Sequence, residues 1–166
     1  MRLENELIYL RPMTEEDTNL IVNWRNKDFV RKNFIYREDF TPEGHLNWIR
    51  TMIDTGKAVQ YIIVEKAKNQ PIGSVYLRDI DYEKKEAEFG IFIGEKEALG
   101  RGFGTSAVKL MSKAAGDELG LERLFLRLIE DNQQAFKAYS AAGYRQLEDV
   151  SDIKNGEKII FMETML

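Results

Sequence analysis

Three groups of residues in this chain have the types and spacing to do chemistry. The first is the run Leu99-Gly100-Arg101-Gly102-Phe103-Gly104-Thr105, with three glycines in five positions. It falls between a strand-like apolar segment, Phe89 to Ile93, and a helical pattern that starts at Phe103. A helix start offers N–H groups without intrahelical acceptors and the positive end of the helix dipole, and glycine lets a phosphate approach the backbone closely. The run therefore reads as a diphosphate cradle; a tight turn with close helix packing would explain two of the glycines. No Lys-Ser or Lys-Thr follows them, which rejects a P-loop, and the G-x-G-x-G spacing fits a dinucleotide fingerprint poorly. The second group is Asn132, Ala135 and Tyr139, with the first and last two helical turns apart and so on one helix face. The third joins Glu88, at the head of the segment ending in Ile91-Phe92-Ile93, to a basic stretch, Arg25, Lys27, Arg31, Lys32 and Arg37, and to the single imidazole, His45.

The elements that must position these residues follow from periodicity. Ile8 to Leu10 reads as a strand, and Thr14 with Asp17 as a cap before a helix carrying Leu20, Ile21 and Trp24. Thr41-Pro42 opens a second helix that runs to Gly56. Ala58 to Val64 and Ile72 to Leu77 form a hairpin around Lys68-Asn69-Gln70-Pro71. Phe103 to Gly120 is a helix, Leu124 to Leu128 a strand and Asn132 to Ala142 a helix; Tyr144 to Val150 and Glu157 to Met162 are strands joined through Asn155-Gly156. The 166 residues suit one domain spanning 1–166, of α+β class. No cysteine is present, which excludes disulfides, thiolate metal sites and a cysteine nucleophile, and one histidine leaves no histidine-rich metal site. No metal is expected. A net charge of −4 gives no global attraction to nucleic acid, and the longest apolar run is four residues, so neither nucleic acid nor membrane is an expected partner. The amino terminus, MRLENELIYL, lacks the apolar centre of a secretory signal, and a cytoplasmic location is expected.

The segment from Glu88 to Tyr144 resembles the GNAT superfamily of N-acetyltransferases, in its branch acting on ribosomal proteins and amino sugars. The family's Q/R-x-x-G-x-G/A loop stands here as Leu99-x-x-Gly102-x-Gly104, with Leu99 as the departure, and N-x-x-A-x-x-x-Y-x-x-x-G-F/Y is complete as Asn132, Ala135, Tyr139, Gly143 and Tyr144. The resemblance implies a mostly antiparallel central sheet of about seven strands flanked by about four helices. It also implies acetyl-CoA as co-substrate and transfer of its acetyl group to a primary amine. Under that reading the loop from Leu99 to Thr105 grips the diphosphate, main-chain groups of Ile91, Phe92 and Ile93 meet the pantetheine arm, and Asn132 and Ala135 help position the cofactor. Tyr139 would protonate the CoA sulfur, its alternative being a half-buried aromatic anchor. Glu88 would take the amine proton or hold a cationic acceptor, its alternative being an exposed strand residue. Arg25, Asn26 and His45 resemble positions in amino-sugar N-acetyltransferases that act on nucleotide-linked sugars, and Arg25 could attract a diphosphate. A solvated helix face explains the basic stretch and His45 equally simply. A peptide amino terminus or a polyamine is an alternative acceptor, and a non-catalytic acyl-CoA-binding module an alternative class. The family's tendency to dimerise makes a homodimer compatible with the resemblance.

Overall fold

A computed structural model describes residues 3–166. The strands are β1 (Leu3–Glu4), β2 (Ile8–Pro12), β3 (Val59–Glu65), β4 (Gln70–Asp81), β5 (Glu86–Ile93), β6 (Arg123–Ile129), β7 (Arg145–Lys154) and β8 (Glu157–Met165). The α-helices are α1 (Thr18–Asn26), α2 (Asp28–Arg31), α3 (Pro42–Trp48), α4 (Phe103–Leu119) and α5 (Gln133–Ala141). Local chemistry sets their ends. Asp17 accepts the Thr14 N–H at 2.9 Å while Thr14 accepts from Glu16, a box that launches α1 through a short 3-10 turn. Thr41 accepts the Gly44 N–H at 3.0 Å with Pro42 at the first helical position, and α3 continues as one π turn, Ile49–Ile53. Asn155 and Gly156, with φ of 55° and 77°, make the two-residue turn that joins β7 to β8.

The strands form one sheet in the order β1-β2-β3-β4-β5-β6-β8-β7, in which only β5 and β6 are parallel. That mixed, mostly antiparallel α+β sheet is the expected architecture, with eight strands and five α-helices among the described residues where about seven and about four were expected. The additions are β1, which makes just two pairs with β2, and the one-turn α2, set off by an extended Lys27; both are too short to show a period. One face of the sheet packs Leu77, Phe89, Leu124, Leu126 and Met162 against Ala107, Val108 and Met111 of α4. The other packs Ile62, Val64 and Phe92 against Ile21, Trp24, Val30 and Ile49. Alternation along each strand thus feeds two cores, one per face. Among the described residues no helix is long and apolar enough to cross a membrane.

One irregularity prepares the site. β5 pairs with β6 only at Glu86↔Arg123, Ala87↔Leu124 and Glu88↔Phe125, whereas it follows β4 as far as Gly73↔Ile93. From Phe89 to Ile93, β5 therefore carries main-chain donors and acceptors with a strand on one side only.

Candidate active site

Where β5 and β6 part, a cleft of about 920 Å³ opens, lined by β5, the glycine run, α5 and the segment from Arg25 to Tyr36. The Tyr76 ring lies across its floor at Gly90, where a Cβ would stand 2.3 Å from the ring. Ile91, Phe92 and Ile93 line the same cleft.

At one end stands the glycine run. Gly100 and Gly102 have φ of 72° and 85°, left-handed conformations that favour glycine, and Gly102 is the N-cap of α4. No side chain caps this helix, and its first internal bond is Ser106 N–H to the Gly102 carbonyl. The N–H groups of Phe103, Gly104 and Thr105 are left without intrahelical acceptors. A Cβ built at Gly100, Gly102 or Gly104 meets no atom within 4 Å, so the space before these donors is open. The cradle fits a phosphate group. Leu99, Gly100, Gly102, Phe103, Gly104 and Thr105 all line the cleft; Arg101 does not, because its guanidinium turns away to Glu65 at 3.0 Å. Asn132 and Ala135 line it from α5, with Asn132 accepting the Ala135 N–H at 3.3 Å as the N-cap.

Tyr139 projects from α5 and is 5% exposed, packed edge-on against Phe89 and tilted against Tyr144. Its hydroxyl makes no hydrogen bond among the described residues, although the residue lines the cleft. Burial first, then the neighbouring Tyr144, Tyr76 and Glu88, pushes its pKa well above the usual tyrosine value. The phenol therefore keeps its proton at neutral pH. The residue is thus an aromatic anchor of the cleft wall.

Glu88 lies in the cleft wall, and Arg127 Nε of β6 bonds its Oε2 at 3.1 Å. This partner, which belongs to no motif, stands 39 residues away and bridges the two strands just past their last pair. Burial lowers the Arg127 pKa, but attraction to Glu88 and bonds to Glu88 and Tyr36 outweigh it, so the net shift is upward. The one signal in the sequence was alternation in β6, where Arg123, Phe125 and Arg127 oppose the inward Leu124, Leu126 and Leu128.

Arg25 lines the same cleft. Its guanidinium carbon sits 3.6 Å from the Phe34 ring centroid and 4.4 Å from that of Phe40, and no carboxylate pairs with it among the described residues. Burial, opposed by Tyr76 and aided by Arg78, lowers its pKa, yet a guanidinium remains charged at neutral pH. The rest of the basic stretch is largely neutralised: Lys27 pairs with Glu95, Arg31 with Asp39 and Arg37 with Glu157. Lys32 alone joins Arg25 at the cleft.

Two expected substrate contacts lie elsewhere. Asn26 is consumed by structure: its amide donates to the Phe40 carbonyl and accepts from the Phe40 N–H and from Arg31, each at 2.8 Å. His45 is neither solvated nor in the cleft. It is 1% exposed, with Nδ1 2.9 Å from Thr18 Oγ1 and Nε2 3.2 Å from Met13 Sδ, pinning α3 to α1. Burial lowers its pKa against the pull of Asp17. Among the described residues no three His, Cys, Asp or Glu side chains gather as a metal site would need.

Main-chain donors of the glycine run, an unpaired strand edge and a protonated phenol line one cleft, an arrangement that suits acyl transfer from a phosphate-bearing thioester. Comparison with known proteins gives the same class: residues 8–145 match the acetyltransferase (GNAT) domain, and the chain belongs to that family of acetyl-CoA-dependent N-acetyltransferases. It is 27% identical over 146 residues to the uncharacterized protein MJ1062 of Methanocaldococcus jannaschii, covering 86% of this chain but only 29% of that one. It is 25% identical over 140 residues to spermidine N(1)-acetyltransferase of Vibrio cholerae, covering 84% and 80% of the two chains. The fold matches the crystal structure of spermidine N-acetyltransferase from that organism in complex with CoA and spermine, with TM-score 0.85, 21% identity and 97% and 96% coverage. It matches ribosomal-protein-S5-alanine acetyltransferase from Vibrio fischeri with TM-score 0.82, 22% identity and 99% and 96% coverage.

Proposed function

We propose that the acceptor is a primary amine on a molecule that also carries phosphate, with a nucleotide-linked amino sugar as the acceptor that suits this cleft best. The observation that carries the reading is Arg25. A guanidinium stacked between aromatic rings, without a carboxylate and open to the cleft, offers planar paired donors to an anion. Lys32 adds a second cation, while the Glu88 carboxylate is compensated by Arg127. A polyamine, the acceptor named for the Vibrio cholerae relatives, would place several positive charges against this arrangement.

Acetyl-CoA supplies the electrophilic thioester. The chain contributes positioning and proton handling. The N–H groups from Phe103 to Thr105 would hold the diphosphate, and the free edge of Ile91 to Ile93 would bond the pantetheine amides as an added strand does. Glu88 Oε1, free while Oε2 holds Arg127, would accept the amine proton directly or through water. Tyr139 Oη would give its proton to the departing sulfur.

A screen of acetyl-CoA turnover, read as free thiol, over nucleotide-linked amino sugars, spermidine and peptides with free amino termini tests the reading. The amino sugar should show the highest kcat/KM, with a KM that climbs with ionic strength. Arg25→Ala should raise that KM on the order of tenfold and leave the acetyl-CoA KM nearly unchanged. Faster turnover of spermidine or peptide, together with an Arg25→Ala variant like the wild type, would reject it.

A further inference from the structure

Arg101 is the one residue of the glycine run whose side chain leaves the cleft, and where it goes is informative. Glu65 ends β3 and is 3% exposed, held in the sheet by its pairs with Ile8 and Gln70. The only partner of its carboxylate among the described residues is Arg101, at 3.0 Å. The Arg101 guanidinium also lies 4.9 Å from the ring of Phe103, which is itself buried at the first turn of α4. Arg101 thus stands between the two left-handed glycines, Gly100 and Gly102, and ties the loop to the buried end of β3.

We infer that Glu65 and Arg101 are a positioning pair: their ion pair fixes the loop so that the α4 N–H groups face the diphosphate before it binds, and Arg101 is not itself a phosphate ligand. A buried carboxylate with one partner holds that partner strongly, because release would leave a charge uncompensated away from water. A three-glycine loop without such an anchor would have to lose its conformational freedom on binding. The inference rests on the reading of the loop as a diphosphate cradle.

The two possible roles of Arg101 predict opposite signs. If it is an anchor, Glu65→Gln loosens the loop and should raise the Kd for CoA on the order of tenfold. If it is a phosphate ligand restrained by Glu65, the same change frees it and CoA binds more tightly. Acetyl-pantetheine, which lacks the diphosphate, supplies the control: its use by Glu65→Gln should equal that by wild type. A general loss of structure would weaken both donors, and unfolding is checked by circular dichroism. The double variant Glu65→Gln/Arg101→Leu should bind CoA like the worse single variant, since the two residues act as one unit; additive losses would mean separate roles. Should Glu65→Gln not fold, Glu65→Asp takes its place: it keeps the charge but draws the carboxylate back from Arg101, so an anchor expects a raised CoA Kd and a restrained phosphate ligand an equal or lower one. Wild type that fails to favour CoA over acetyl-pantetheine refutes the cradle itself. Wild type that favours CoA, with Glu65→Gln equal or tighter, refutes only the anchor.

Discussion

Replacing Tyr139 with phenylalanine separates its packing from its proposed proton donation. The ring is held by an edge-on contact to Phe89 at 5.8 Å and a tilted contact to Tyr144 at 5.5 Å, and the phenyl ring of the variant would keep both. The hydroxyl has no protein partner among the described residues, so its removal orphans nothing and stability should change by less than about 0.5 kcal/mol. Truncation to alanine would instead empty a buried aromatic site and cost about 3–5 kcal/mol. Catalysis should respond in the opposite proportion. Loss of a positioned acid costs roughly 10²–10⁴ in rate, or about 2.7–5.4 kcal/mol of barrier. Steady-state kinetics with saturating acetyl-CoA, beside a thermal melt and CoA titration, should show kcat down about 10²-fold or more with melting temperature and Kd nearly unmoved. Because burial raises the phenol pKa, no alkaline loss of activity from this group is expected up to about pH 9. An unchanged kcat in a folded Tyr139→Phe protein would leave only the packing role and remove proton donation from the mechanism.

Gly102→Leu should lower stability by about 1–2 kcal/mol, since φ there is 85°, and should weaken CoA binding by filling the space before the helix; wild-type affinity in a folded variant would dismiss the cradle. His45 imposes a pH dependence on stability whose sign is fixed by its lowered pKa. The unfolded chain binds the proton more readily, so its contribution is complete above the ordinary histidine value near 6.5 and is lost as pH falls through the lower folded value. Urea unfolding at pH 7.5 and at decreasing pH should show that loss, and His45→Gln should flatten the slope; an equal slope in both proteins would contradict the buried neutral imidazole. Asp17, held ionised by Arg11 and by Thr14 against the cost of burial, contributes a separate loss below the ordinary carboxylate range.

What could be read in the chain was whatever its neighbours in sequence decide. The Thr14 and Asp17 box, the Thr41-Pro42 start and the Asn155-Gly156 turn are local, and each forms where the residues demand it. The motif residues Asn132, Ala135 and Tyr139 share the cleft because a helix keeps them on one face. Contacts between elements were illegible. His45 finds Thr18 and Met13, 27 and 32 residues back, and only tertiary packing tells a buried pin from a solvated helix residue. The basic stretch looked like five free cations, but its partners Glu95 and Glu157 lie in distant segments, and folding leaves two of the five for the cleft. Arg127 carried no motif and took its place only once β5 and β6 lay side by side.

The three-rung pairing of β5 with β6 has a consequence for tolerance to mutation. A bare strand edge on the outside of a protein invites another chain to add to it, with aggregation as the result. Here the bare stretch from Phe89 to Ile93 lies inside the molecule, sheltered between two strands that belong to the same sheet. Its groups are backbone, present whatever side chains the strand bears. At Ile91 and Ile93, whose side chains pack on the core, one apolar residue can therefore replace another without touching this surface, so that related chains could share it while having few letters in common along it.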